Sequence, residues 1–152
     1  DCSILEHGAR AGATEPATRA IQAAIDACAK RGGGRVVVPA GRFVTGTLFL
    51  RSGIELHVGA GAQLVGSPRL EDYPVLKRGR ADDHVSPTGT PTAEDSEGTR
   101  ALIVARDVTN VALTGIGIID GNGPQFWGLG FMESGQARPA LPRPRPWIWF
   151  VD

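Results

Sequence analysis

The sequence predicts an all-β fold, a parallel β-helix, with a single α-helix that covers its N-terminal end. An amphipathic helical segment is followed directly by three glycines, Gly32–Gly34, and by the apolar run Val36–Val38. From there short apolar runs alternate with glycine corners, and no second helical pattern appears. Such strands are typical of a solenoid whose coils each take roughly 20–25 residues. Residues 1–152 are therefore expected to belong to one solenoid domain.

The predicted helix covers about residues 14–31. Thr14 is its expected N-cap, Pro16 is tolerated in the first turn, and Gly32 is expected to end it. Small apolar residues at spacings of three and four form one face, which favours close packing against the end of a stack of strands. The residues of this face are Ala17, Ala20, Ile21, Ala24, Ile25 and Cys28.

One short strand, Ser3–Ala9, is predicted before the helix, and seven follow Pro39. A β-sandwich is the competing all-β fold, but it requires tight hairpin turns, and Asn122-Gly123 is the single dipeptide of that kind. The seven later strands are Arg42–Leu50, Ile54–Val58, Ala62–Val65, Ala101–Ala105, Asn110–Thr114, Gly117–Asp120 and Trp147–Val151.

Two segments interrupt the strands, at about residues 68–100 and 124–146. The first is polar, and the second ends in a proline-rich tract that favours extended polyproline II conformation. Both are predicted to be excursion loops, and long loops in a compact repeat are usually functional or disordered.

Composition excludes several classes of partner. The 16 basic and 16 acidic side chains cancel, so nothing favours binding to nucleic acid or to an anionic membrane surface. No apolar run approaches the roughly 18–20 residues that cross a bilayer. The chain begins at Asp1 without a leader pattern, so we expect any signal peptide to be removed or excluded.

The two cysteines, Cys2 and Cys28, lie near the start of the chain. A disulfide between them would join the first strand to the end of the helix and stabilise the fold by about 3 kcal/mol. Two buried free thiols are the alternative, because cysteine is among the most buried residue types. A disulfide would favour an exported protein.

Several blocks of sequence, taken together, resemble the polygalacturonase-like pectinases of glycoside hydrolase family 28. The first block is shared with other β-helix proteins, whereas Ile119–Gly123 followed by Trp127 is more specific to this family. In chain order the blocks are Thr18–Cys28, Gly32–Gly41, Leu50–Leu56, Gly61–Ser67, Asp72–Pro74, Ala101–Ile103, Asn110-Val111, Thr114–Gly123, Phe126-Trp127 and Arg145-Pro146.

The resemblance implies a right-handed parallel β-helix that hydrolyses galacturonan, the cell-wall polysaccharide of pectin, with inversion and without a cofactor. It also implies secretion or a periplasmic location. Inversion requires a carboxylic acid and a carboxylate about 6.5–9.5 Å apart. The family places them in an Asn-Thr-Asp motif and an Asp-Asp pair, followed by Gly-His-Gly and Arg-Ile-Lys, and none of these contexts occurs in this chain.

The expected protein is therefore the N-terminal portion of such an enzyme, truncated at Asp152 after the first coils. It is expected to hold no catalytic residue and to be inactive alone. Its partners would be the polysaccharide and the missing C-terminal part of the same β-helix.

Four candidate positions have alternative interpretations. Asp82-Asp83 matches the family's acidic pair in composition only, and two adjacent loop acids are usually solvated. The resemblance would place Asp120, at the end of a strand, on the row of the solenoid that leads to the catalytic carboxylates, but it is rather expected to cap the local turn. Trp127 is a candidate sugar platform, with packing of its loop as the alternative. Arg145, with Arg138 and Arg143, suits galacturonate carboxylates, with ordinary solvation as the alternative.

Two other functions remain open. A pectate-lyase-like enzyme would need clustered acidic calcium ligands on successive coils, which the sequence does not show. A non-catalytic tailspike-like or carbohydrate-binding β-helix would lack the downstream carboxylate motifs. His7, His57 and His84 have no metal-ligand spacing, so no metal site is expected.

Overall fold

The computed structural model describes residues 1–76, 98–131, 137–139, 144 and 147–151. In these ranges the chain forms one α-helix and short strands that wind as three coils of a right-handed parallel β-helix. The elements are β1 (Cys2–Ser3), α1 (Thr18–Lys30), β2 (Gly34–Val38), β3 (Gly41–Thr45), β4 (Leu48–Phe49), β5 (Ile54–Val58), β6 (Ala62–Gly66), β7 (Ile103–Arg106), β8 (Ala112–Gly115), β9 (Ile118–Asp120), β10 (Trp127–Phe131), β11 (Ala137–Pro139) and β12 (Ile148–Val151).

Three parallel sheets run along the solenoid. Sheet 1 has the order β1-β2-β5-β8, sheet 2 the order β3-β6-β9, and sheet 3 the order β4-β7-β12. Gly34 pairs with Ile54 and Gly41 with Ala62, so the uninterrupted coil takes 20 or 21 residues. The parallel pairing confirms the predicted β-helix and is incompatible with a β-sandwich built from antiparallel hairpins.

Inward-facing side chains stack in register from coil to coil. In sheet 1 the stack is Val36, Leu56 and Leu113, and in sheet 2 it is Phe43, Leu64 and Ile119. Those of the first two coils are buried, and each stabilises the fold by about 1.5–3 kcal/mol through removal of apolar surface from water. The two-residue period of a strand places these residues inside and the polar ones between them outside.

The N-terminal segment closes the first edge of all three sheets. β1 pairs with β2 in sheet 1, and in sheet 2 the backbone nitrogens of Gly12 and Ala17 donate to β3 carbonyls, each at 2.7 Å. In sheet 3 the amide side chain of Gln22, on α1, replaces a strand. Its Nε2 donates to the Phe49 carbonyl at 2.9 Å, and its Oε1 accepts from the Phe49 nitrogen at 2.8 Å. Edges covered in this way cannot pair with another chain.

The helix begins at Thr18, so the predicted start at Thr14 is wrong. Ala17 precedes the helix and provides no side-chain cap. The backbone nitrogen of Ala17 donates to Val44, and the Thr18 hydroxyl accepts from the Gly46 nitrogen at 2.8 Å. Pairing with β3 therefore holds residues before Thr18 outside the helix, which local capping signals do not reveal. The predicted C-terminal end of the helix, at about residue 31, agrees with the structure. The helix α1 ends at Lys30, and Gly32 has a φ of +100°.

One further prediction needs correction. The strand predicted at Ser3–Ala9 is only two residues long, because Ile4–His7 form a 3₁₀ helix. Within the excursion predicted at 124–146, β10 and β11 form an antiparallel pair outside the three parallel sheets. Each of the seven strands predicted after Pro39 overlaps an observed strand, and Ile54–Val58 matches β5 at both ends.

We expect Gln22→Ala to lower the free energy of unfolding by about 2 kcal/mol, because two backbone groups of Phe49 lose their partners. Urea unfolding of the wild type and the variant measures this difference. Arg19→Ala is the matched control, since Arg19 is an exposed residue of the same helix, and its effect should stay within about 0.5 kcal/mol. Equal losses in both variants would contradict the edge-covering role of Gln22.

Candidate functional site

Both long insertions leave the solenoid at the same place, the corner between sheet 2 and sheet 3. We call it the excursion corner. In the first coil only Gly46 and Thr47 separate the two sheets, whereas β6 ends at Gly66 before β7 begins at Ile103. In the third coil β9 ends at Asp120, and β12 begins at Ile148. Both insertions therefore begin after a strand of sheet 2 and end before a strand of sheet 3.

The first insertion folds back against the first coil at this corner. The Thr47 nitrogen donates to the Asp72 carbonyl at 3.1 Å, and a Cβ at Gly46 would overlap that same carbonyl. The Asp72 carboxylate accepts hydrogen bonds from the Ser67 hydroxyl and from Arg69, whose Nε is 3.2 Å away. Asp72 thus fixes the start of the insertion. Nothing in the sequence indicates this role, since Asp72 stands out there only as part of the block Asp72–Pro74.

Three aromatic rings join the two insertions. Tyr73 and Phe126 are buried, and their ring centroids lie 6.3 and 6.0 Å from that of Trp147 in edge-on arrangements. The Tyr73 hydroxyl donates to the Ser67 carbonyl at 2.8 Å, and burial, with a smaller contribution from the Asp72 charge, raises the pKa of this phenol. Tyr73 is therefore a neutral packing and hydrogen-bonding residue at any physiological pH.

The outer face of sheet 3 carries an arginine and a tryptophan in contact. Trp149 pairs with Val104 across β12 and β7, and the Arg106 guanidinium lies 5.2 Å from the centroid of the Trp149 ring. Trp149 is half-buried and Arg106 is exposed. Arg106 Nη2 also reaches the Leu76 carbonyl, at 3.4 Å. These contacts fix the guanidinium on the outer face of sheet 3.

A second polar cluster lies on the outer face of sheet 1. Arg35 Nε is 3.0 Å from Glu55 Oε1, and the Thr114 hydroxyl donates to the same oxygen at 2.5 Å. His57 Nδ1 is 2.9 Å from Thr114 Oγ1. Hydrogen bonds from Thr114 and then Arg35 hold the pKa of the Glu55 carboxyl below its ordinary value of 4.5, against the opposing effect of desolvation. This cluster links strands of successive coils.

We expect acid to weaken the fold partly through Glu55. Because its folded pKa is lowered, the stabilisation is complete above about pH 4.5 and is lost as the pH falls through the folded value. Urea unfolding at about pH 7 and about pH 3 should show a smaller pH dependence for Glu55→Gln than for the wild type. Glu6→Gln, at an exposed position, is the control and should keep the wild-type dependence.

The structure assigns Asp120 to the local turn. Its carboxylate accepts a hydrogen bond from the Asn122 nitrogen at 2.8 Å, as expected for a turn-capping aspartate. Asn122 in turn donates from Nδ2 to the Gly66 carbonyl at 3.0 Å, which ties the third coil to the second. The Asp120 carboxylate therefore has a structural role, since it stabilises the turn that follows β9.

Several predicted site residues lie outside the described part of the chain, or have only their backbone within it. Trp127 begins β10, and its backbone pairs with Pro139. Arg138 lies within β11, and nothing is described of the side chain of either Trp127 or Arg138. Arg145, Arg143 and the pair Asp82-Asp83 lie outside the described residues. The roles of Trp127 and Arg145 in substrate binding remain predictions.

Cys2 and Cys28 are joined by a disulfide bond, with their Cα atoms 6.1 Å apart. Arg31 Nη2 lies 2.7 Å from the Cys2 sulfur. In the ranges that the structure describes, no group of three or more His, Cys, Asp or Glu side chains is arranged to hold a metal ion. In the same ranges no helix is long and apolar enough to cross a membrane.

Comparisons with known proteins define the kinship of the chain. No protein-family model matches it. The exo-poly-α-D-galacturonosidase of Dickeya chrysanthemi is 39% identical over 122 residues, which are 80% of this chain and 19% of that protein. The family 28 exopolygalacturonase of Yersinia enterocolitica superposes with a TM-score of 0.61 at 32% identity, over 91% of this chain and 24% of that one. The chain is homologous to the family 28 polygalacturonases.

A third comparison agrees. The hyperthermoactive exopolygalacturonase of Thermotoga maritima superposes with a TM-score of 0.67 at 29% identity, over 93% of this chain and 30% of that one. The resemblance predicted from sequence is thereby confirmed, together with the right-handed β-helix. The chain spans 19% of the length of its Dickeya relative.

Proposed function

We propose that this chain forms the N-terminal coils of a glycoside hydrolase that cleaves galacturonan-type pectin. The observation that carries the proposal is the 39% identity to an exo-poly-α-D-galacturonosidase across 80% of the chain. The superposition on exopolygalacturonases supports it, because it extends over 91% and 93% of the chain. A polysaccharide lyase has no comparable support, since the relatives compared are named as galacturonan hydrolases.

The coils described here would serve as a base for the catalytic centre. Inverting hydrolysis needs two carboxyl groups about 6.5–9.5 Å apart, one as acid and one as base. None of the family's carboxylate motifs occurs in the 152 residues. We therefore assign the catalytic carboxylates to further coils stacked on β8, β9 and β12, the last strands of the three sheets.

The surface of the third coil supports this stacking. Ile148 and Phe150 belong to the inward-facing side of sheet 3, in register with buried residues of β7, yet they are 44% and 48% exposed. A further coil would bury both side chains and pair the free strand edges, as the second coil does for the first.

Product analysis of polygalacturonate digestion tests the proposal. The polypeptide that contains these coils together with further coils should release reducing ends, and the new anomeric centre should be inverted in NMR spectra. The 152-residue chain alone should release none. Unsaturated products that depend on calcium would identify a lyase instead. Turnover by the isolated chain would show that its active centre is already present.

We also propose that the protein acts outside the cytoplasm, in the periplasm or after secretion. The disulfide between Cys2 and Cys28 is typical of oxidising compartments, and pectin is an extracellular polymer. Fractionation of the producing cells should recover the protein from the medium or the periplasm. Recovery from the cytoplasm with both thiols reduced would contradict this location.

A further inference from the structure

We propose that Arg106 and Trp149 form a binding site for one uronate unit of the polysaccharide, on the outer face of sheet 3. This inference rests on the proposed function, because it takes galacturonan as the substrate class. It adds a specificity-determining contact within the coils described here, outside the further coils to which the catalytic carboxylates are assigned.

The register of sheet 3 brings the two residues together. β7 and β12 are parallel neighbours in which Val104 pairs with Trp149 and Arg106 with Val151. Arg106 therefore lies one diagonal step from Trp149 on the same face, since residues two apart along a strand share a face. The separation of 5.2 Å between the guanidinium carbon and the ring centroid is that of a cation–π contact.

The contact prepares the guanidinium for a ligand. A free arginine side chain loses much rotamer entropy when it binds, whereas here the Trp149 ring and the Leu76 carbonyl, 3.4 Å from Nη2, already restrict it. A guanidinium has five N–H donors, so one hydrogen bond to a carbonyl leaves a pair for bidentate binding of a carboxylate.

The charge around Arg106 supports an anionic ligand. Of the arginines in the described part of the chain, Arg35, Arg51 and Arg69 each lie within 4 Å of a carboxylate oxygen. Among those same described residues no carboxylate makes such an ion pair with Arg106. Arg106 shares this property with other described arginines such as Arg42, so its contact with Trp149, and not charge alone, distinguishes it.

The neighbouring tryptophan favours a sugar acid over a simple anion. The guanidinium lies over one face of the half-buried Trp149 ring, and the exposed remainder of the ring offers apolar contact area to the carbon–hydrogen face of a pyranose. A cation beside that ring adds recognition of the C6 carboxylate.

Titration of the 152-residue chain with trigalacturonate, followed by tryptophan fluorescence and calorimetry, tests the site. We expect wild-type binding that weakens with added salt, and no binding of the carboxyl-reduced trisaccharide. Arg106→Gln should weaken binding at least tenfold, Arg106→Lys should weaken it less, and Trp149→Leu should also weaken it. Arg42→Gln, an exposed arginine of sheet 2, should bind like the wild type.

Circular dichroism and urea unfolding establish that each variant is folded. If Arg106→Gln does not fold, Arg106→Lys tests the site instead, because it keeps the positive charge but removes the two parallel N–H donors of the guanidinium. Equal binding by wild type and Arg106→Gln, or no binding by the wild type at millimolar trisaccharide, overturns the site. In either case hydrolysis by the longer polypeptide would leave the proposed function intact. Conversely, binding that depends on Arg106 in a protein that never hydrolyses polygalacturonate would retain the site and reject the function.

Discussion

Replacing Cys2 and Cys28 together by alanine is expected to lower the free energy of unfolding by about 3.5 kcal/mol. The cross-link spans a sequence separation of 26, and loop closure of this length restricts the unfolded chain by about that amount. Both cysteines are also buried at the contact between β1, the end of α1 and β2. Removal of the cross-link should therefore destabilise mainly the N-terminal end of the solenoid, which α1 covers. Urea unfolding in the absence of reductant measures the difference.

Chemical reduction of the Cys2–Cys28 disulfide in the wild type is the matched comparison for the double variant. Dithiothreitol should destabilise the wild type by a similar amount and should leave the double variant unchanged. Hydrogen exchange should show the loss first in α1 and β1, because the cross-link holds these elements together. If dithiothreitol under denaturing conditions has no effect on wild-type refolding and stability, the disulfide does not contribute as argued.

Gly46→Ala is expected to cost about 3 kcal/mol, since a methyl group at this position would overlap the Asp72 carbonyl. The backbone around Gly46 cannot move freely, because its nitrogen donates to Thr18 and the Thr47 nitrogen donates to Asp72. The variant must therefore displace the start of the first insertion. Urea unfolding and limited proteolysis between residues 67 and 76 measure the two effects.

Gly59→Ala is the control for this prediction. Gly59 also lies at a corner, and an added Cβ would lie 3.2 Å from the Val38 carbonyl, a contact that a small shift relieves. Its cost should be below about 1 kcal/mol, with no new proteolysis after residue 66. A larger loss at Gly59 than at Gly46 would contradict the tight approach described at the excursion corner.

Local signals were sufficient to predict β5. Ile54, Leu56 and Val58 alternate with polar residues between Gly53 and Gly59, so both the strand and its buried face follow from adjacent residues. By contrast, the predicted strand Arg42–Leu50 contains two observed strands, β3 and β4. The break at Gly46 is the corner between sheets 2 and 3, and it packs against Asp72, which lies 26 positions later in a segment whose path a sequence does not specify.

The candidate site was missed for a similar reason. Trp149 lay within a predicted strand, and Arg106 directly followed another, yet nothing local indicates that they touch. Their contact depends on the pairing of β7 with β12, across an insertion whose length is unrelated to the coil period. A prediction of that register, obtained by aligning Ile103 with Ile148 as equivalent inward positions, would have brought Arg106 and Trp149 together.

The shared exit of both insertions has a consequence for how such proteins diversify. Leu48, Ile103 and Ile148 occupy equivalent positions in successive coils, although 55 and 45 residues separate them instead of the 20 or 21 of an uninterrupted coil. Residues can therefore be added or deleted at that single junction without shifting the alignment of the stacked strands. Natural selection, or an engineer, can therefore change the length and composition of the insertions there and leave the stacked strands untouched.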